Sequence, residues 1–270
     1  MRQIPSTDSF TRRQLLHGAA GMAASFGIKS ALSEETAESR VNEHLESIPR
    51  TLPHVSRYKE LLTDDAHYGL VVIRQLHWDC NLTQDLLQRV AQSQREIYDL
   101  ICTLLTGKWI HTVHQEGLMV KGDPRPNPEY DQHQTAYEQG FENVDRIVEF
   151  GAVAALECEG RLTVHGGERT ETYDASGPAV WMRPGQQRDK LLFEDREDAL
   201  LQIIALERKK IACTVFGASH DFENNVQQWN RAHSQEKFSL LILTTNAVNQ
   251  FDQRQRPSKP HLPRQRAFIF

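Results

Sequence analysis

Two apolar runs in this chain each stop at a histidine where a buried strand would surface. Leu70-Val71-Val72-Ile73 leads to His77, and Ile211-Ala212-Cys213-Thr214-Val215-Phe216-Gly217 leads to His220. A third run, Lys108-Trp109-Ile110-His111-Thr112-Val113, stops at His114-Gln115-Glu116-Gly117. Continuous apolar runs of this length mark strands covered on both faces, the signature of a parallel sheet between helices. Between the first and the third run, Leu82, Leu86, Leu87, Val90, Ile97, Leu100, Ile101, Leu104 and Leu105 recur at helical spacing until Gly107. That gives a strand-helix-strand unit and predicts a parallel strand pair. The expected fold is α/β: a mostly parallel central sheet flanked by helices, with the site at the carboxyl ends of the strands, where ligands bind in open sheets.

The remaining elements follow the same pattern. Thr135 to Phe150 is predicted helical through Tyr137, Phe141, Val144, Ile147 and Val148. A strand is expected near Ala154 and a hairpin around Leu162 to Val164. A helix is expected from Glu194 to Lys210, another from Glu223 to His233, and a last buried strand from Ser239 to Thr244. Pro124, Pro126 and Pro128 make Leu118 to Asp131 a loop, placed to act as a lid.

The ends of the chain read differently. Arg12-Arg13 stands directly before an apolar stretch from Leu15 to Ile28, the layout of a twin-arginine signal. That stretch is shorter than the ~20 residues a membrane-spanning helix needs. Ala31-Leu32-Ser33 offers a cleavage site, so residues 1–33 are expected to be a signal and Glu34 the mature N-terminus. An exported protein, periplasmic or extracellular and without a stable membrane anchor, is expected. Residues 34–68, polar and with Pro49 and Pro53, read as a linker with a short helix; the α/β domain is placed at 69–252. From Gln253 the chain carries five basic residues, no acid and three prolines, a basic Pro-rich tail. The net charge of -5 argues against nucleic acid as the main partner. A small-molecule or peptide substrate is the expected partner. Cys80, Cys102, Cys158 and Cys213 lack metal-ligand spacing; Cys102 and Cys213 read as small core residues, and one disulfide among the four fits an oxidising compartment.

The polar residues past the strand ends are the candidates for chemistry. His77 and His220 each have the geometry of a ligand or a proton acceptor, against the plainer role of capping a strand. Asp221 suits capping of the helix after it more than orienting the ring. Glu116 suits a metal ligand or general base, against a paired carboxylate; His114, two residues earlier, shares its face. Arg196, expected in the first turn of its helix, opposes the helix dipole there. Binding of an anionic group, or pairing with Glu194 or Asp198, accounts for it. Arg74, Gln75, His165, Glu168 and Asp198 form a second rank.

In order, Arg74-Gln75-Leu76-His77, Gln115-Glu116-Gly117, Arg196-x-x-x-Leu200-x-x-x-Ile204 and Gly217-Ala218-Ser219-His220 resemble the motifs of the superfamily joining Tiki/TraB proteins, ChaN-like haem-binding proteins and erythromycin esterases. There a Gly-Glu-x-His element ends the first strand, an acidic residue the next and a Gly-x-x-His element a later one. An arginine starts a helix between them. The family's glycine and glutamate are here Arg74 and Gln75, which removes one acid. The resemblance implies a site of His77, Glu116, Arg196 and His220, with His77, Glu116 and His220 as ligands of a divalent metal, Zn, Mn or Fe, in a metal-assisted hydrolase. Two alternatives stay open: a non-catalytic haem- or metal-binding protein, with His77 and His220 holding the cofactor, and a degenerate member whose histidines are structural.

Overall fold

The computed structural model describes residues 40–76, 83–121, 143–176 and 190–255, all within the compact unit that starts at Ala37. His77, Cys80, the signal, the proline loop from residue 122 and the tail from residue 256 lie outside the described residues.

The fold is α/β. In chain order the elements are α1 (40–47), β1 (Val55–Leu61), β2 (Ala66–Gln75), α2 (Gln84–Thr106), β3 (Thr112–Met119), α3 (Val144–Cys158), β4 (Thr163–Glu168), α4 (Thr170–Ser176), α5 (Lys190–Glu207), β5 (Ile211–Gly217), α6 (Phe222–Ala232), β6 (Lys237–Thr245) and α7 (Asn246–Gln255). One six-stranded sheet has the order β1-β6-β2-β5-β3-β4. Every pairing is parallel except that of β1 with β6. β2 and β3 run parallel, as the strand-helix-strand unit requires, but β5 lies between them, so the predicted pair is not a pair of neighbours.

Alternate residues of each strand feed two cores. Val71, Ile73, Val113, Cys213, Val215, Leu241 and Leu243 pack under α1, α2 and α3 with Leu45, Ile97, Leu100 and Leu156. Leu70, Val72, Ala212, Phe216, Leu240 and Ile242 pack on the other face with Leu200, Leu201 and Ile204 of α5 and Phe222 and Val226 of α6. Each Val, Leu, Ile or Phe among them, fully buried, contributes about 1.5–3 kcal/mol. Cys213 is buried in the first core, and Cys102 and Cys213 are free thiols. No helix among the described residues is long and apolar enough to cross a membrane.

Several boundaries differ from expectation. The stretch read as a linker up to residue 68 holds α1, β1 and the start of β2, and Val41, Leu45, Ile48 and Leu52 are buried. The strand expected near Ala154 is helix: α3 runs to Cys158 through a kink at Gly151, where Gln94 Oε1 accepts from the Ala152 N–H at 3.0 Å. Leu162 to Val164 starts a single strand, β4, in place of a hairpin, because β3 offers it a parallel edge. β3 continues to Met119, so Leu118 belongs to a strand. α5 begins at Lys190, which puts Arg196 in its second turn, away from the N-terminus.

Candidate functional site

The last part of β3 departs from its neighbours, and this places the central carboxylate. β3 pairs with β5 as far as Gln115↔Val215. Against β4, Gln115 pairs with Gly166 and Met119 with Glu168, so Glu116, Gly117 and Leu118 face the single Gly167. Such a bulge bends the strand and re-aims its side chains. Gly117, at φ +82°, makes the turn. Gly166 allows the return: a Cβ there would lie 2.1 Å from the Met119 carbonyl oxygen. Gly166→Ala is therefore expected to cost about 3 kcal/mol, read by urea denaturation, because backbone cannot move aside as a side-chain tip does.

The bulge sends Glu116 across the end of β5. Its Oε2 accepts from the Gly217 N–H at 2.6 Å, continuing the ladder with a side chain where β3 has left it. Its Oε1 accepts from Arg196 Nη2 at 2.7 Å and faces His220 Nε2 at 3.2 Å. Glu168, the last residue of β4, accepts from Arg196 Nε at 2.9 Å, from Arg196 Nη2 and from the Gly117 N–H at 2.9 Å. A turn over Gly217 to His220 closes with the His220 N–H on the Gly217 carbonyl at 3.0 Å, and brings the imidazole back over Phe216, ring centres 5.1 Å apart. The other ring nitrogen, Nδ1, meets Glu197 Oε1 at 2.9 Å, and that oxygen also accepts from the Asp221 N–H at 3.0 Å.

The electrostatics follow from this bonding. Burial works against a charged His220, but Glu116 and Glu197 outweigh it and lift the ring to about 9. Burial pushes the Glu197 carboxyl up, against the pull of His220 and the Asp221 N–H. Burial likewise opposes the Arg196 charge, and Glu116 and Glu168 more than restore it. The five side chains form one ionic network, none more than 7% exposed.

Three of the expected residues, Glu116, Arg196 and His220, are thus brought together, and Glu168 of the second rank joins them. Glu197 was missed. Nothing in the sequence set it apart from a glutamate on a solvated helix face. Asp221 caps α6, accepting from the Glu223 N–H. Arg74 pairs with Asp252 at 2.9 Å and bonds the Ala218 carbonyl; Gln75 accepts from Gln94 at 3.2 Å; Asp198 accepts from Asn225 at 2.8 Å. All three are engaged elsewhere in the fold. His114 and His165 lie side by side on β3 and β4, nearer Glu207 than the network, at 3.6 and 3.8 Å.

Of the three expected metal ligands, Glu116 and His220 are among the described residues and His77 is not. Both Glu116 oxygens are bonded, and the Arg196 guanidinium already supplies positive charge at Oε1. Glu116 and Glu197 on either side of the His220 ring favour its imidazolium form, in which both nitrogens donate. Among the described residues, no group of three or more His, Cys, Asp or Glu side chains is placed to hold a metal ion. The chain matches no protein-family model, no curated protein and no solved structure.

Proposed function

We propose that this chain is an exported α/β hydrolase whose site works by proton transfer between Glu116 and His220. The observation that carries the reading is their direct 3.2 Å contact at the ends of β3 and β5. A carboxylate and an imidazolium in contact are a base and an acid that exchange a proton. Glu116 takes a proton from water as the water oxygen bonds to the carbonyl carbon of an acyl substrate. His220 gives its proton to the leaving oxygen as the acyl–oxygen bond breaks. The proton on Glu116 then passes to His220, which restores both groups. Glu197 holds the ring by Nδ1, and Arg196 holds Glu116. The motif order that resembles the Tiki, ChaN and esterase superfamily supports hydrolysis, and Arg12-Arg13 ahead of Leu15 supports export.

Hydrolysis of p-nitrophenyl butyrate by the purified protein tests this. The rate is expected to survive dialysis against EDTA, to fall about 100-fold or more in His220→Gln and Glu116→Gln, and to decline as pH rises through about 9, where His220 loses its proton. Loss of the rate on chelation would sink the metal-free chemistry. A second reading, a structural ion cluster without turnover, is favoured by the burial of all five side chains. It predicts that His220→Gln changes stability and nothing else.

A further inference from the structure

Half-buried arginines elsewhere in this protein hold a carboxylate: Arg50 holds Glu60, Arg74 holds Asp252 and Arg89 holds Asp85. Arg169 is half-buried as well, yet among the described residues its side chain has no hydrogen bond and no ion pair. Its Nε is buried and bonds to nothing. A guanidinium stays charged in a protein and offers donors only, so it cannot be relieved by losing its proton or by accepting a bond. A buried donor in that state has lost its hydration without replacement, and an incoming oxygen restores the bond.

The place of Arg169 in the fold ties it to the candidate site. It follows Glu168, the last residue of β4, and Glu168 grips Arg196, which grips Glu116. On its other side the chain enters α4. The Arg169 carbonyl accepts from the Tyr173 N–H at 2.9 Å, and the Tyr173 ring centre lies 5.5 Å from Arg196 Cζ. The main chain that carries Arg169 is therefore anchored to the network both before and after it. The planar fork of an arginine matches the paired oxygens of a carboxylate or a phosphate, which it binds by two parallel N–H···O bonds, and Nε is one of the donors that can supply them.

Resting on the hydrolytic reading above, we propose that Arg169 binds an oxyanion, a carboxylate or a phosphate, carried on the acyl chain of the substrate, and so makes anionic acyl esters the substrate class. Arg169 holds the charged end of the chain while Glu116 and His220 act on the carbonyl. That contact is the same before and during the reaction, so it acts on KM and not on kcat. An uncharged acyl chain leaves Nε without its acceptor.

Substrate preference and ligand-induced stabilisation test this separately. p-Nitrophenyl butyrate has an uncharged acyl chain; the mono-p-nitrophenyl ester of glutaric acid carries a carboxylate on a similar chain. The anionic ester is expected to show a kcat/KM about 10-fold higher or more, and Arg169→Gln to erase that preference by raising KM for the anionic ester. Thermal melting needs no turnover: glutarate or inorganic phosphate is expected to raise the Tm of the unaltered protein and not that of Arg169→Gln. The anion that produces the shift identifies the group as carboxylate or phosphate. Turnover of both esters with equal kcat/KM and no shift from either anion, or a shift that survives in Arg169→Gln, would overturn Arg169 as the binding residue and leave the hydrolytic reading standing. An Arg169-dependent shift without turnover of either ester would overturn hydrolysis and leave the anion site standing. Neither turnover nor shift would overturn both.

Discussion

Arg196→Leu is expected to lose about 3–5 kcal/mol of folding stability, the cost of leaving buried charges without their partner. Among the described residues, Arg196 pairs with both Glu168 and Glu116, and His220 also faces Glu116. Its removal leaves two carboxylates facing each other where neither is more than 5% exposed. Urea denaturation of the variant measures the loss. Arg196→Lys separates charge from shape: a point charge serves one carboxylate but cannot span Nε and Nη2, so a smaller loss is expected. Combining Arg196→Leu with Glu168→Gln should recover part of the loss, because the damage comes from the orphaned charge. A double variant no better than Arg196→Leu alone would contradict that account.

Stability is expected to peak near pH 6.5, because two buried histidines titrate in opposite senses. Burial, with Lys209 and His165 beside it, lowers His114 from 6.5 to about 3. In the folded chain its ring is neutral while the unfolded chain binds a proton, so this stability is lost as pH falls below 6.5. The loss amounts to roughly 2 kcal/mol at pH 5. His220 behaves in the reverse way. Its folded value of about 9 lies above the unfolded 6.5, so its contribution is complete below 6.5 and disappears as pH rises through 9. That limb is on the order of 3 kcal/mol. Denaturation midpoints from pH 4 to 10 display both limbs. His114→Leu should flatten the acid limb alone, since an apolar side chain fits an imidazole whose two nitrogens have no hydrogen-bond partner. His220→Gln should flatten the alkaline limb alone.

The parts of the fold that show in the sequence are those whose residues are buried on both faces. β2, β5 and β6 have nearly unbroken apolar cores, and each was placed to within a few residues. β1 was missed because Ser56 to Glu60 are exposed and polar, with no alternation to mark a face. It is a strand because β6 offers its edge, which is a fact of the tertiary structure and not of the segment. The strand assigned near Ala154 failed for the opposite reason: Ala152 to Leu156 is a buried helix, and a short apolar run looks the same in either state. The site was legible where a polar residue ended an apolar run, which singled out Glu116 and His220. Arg196 was found for a reason the structure removes, a place in the first turn of a helix that in fact starts at Lys190. Glu197 gave no separate signal, since a glutamate inside a helix is what any solvated face would show.

Arg196 and Glu197 are consecutive residues of α5, and they serve different partners. One grips the carboxylates of β3 and β4, while the other grips the histidine beyond β5. Neighbours on a helix point about 100° apart around its axis. A small roll of α5 therefore swings both contacts through the same angle. It loosens the cation on Glu116 and shifts the anion on His220 in a single movement. The helix acts as a cam with two followers: neither grip can be adjusted by turning the shaft without moving the other.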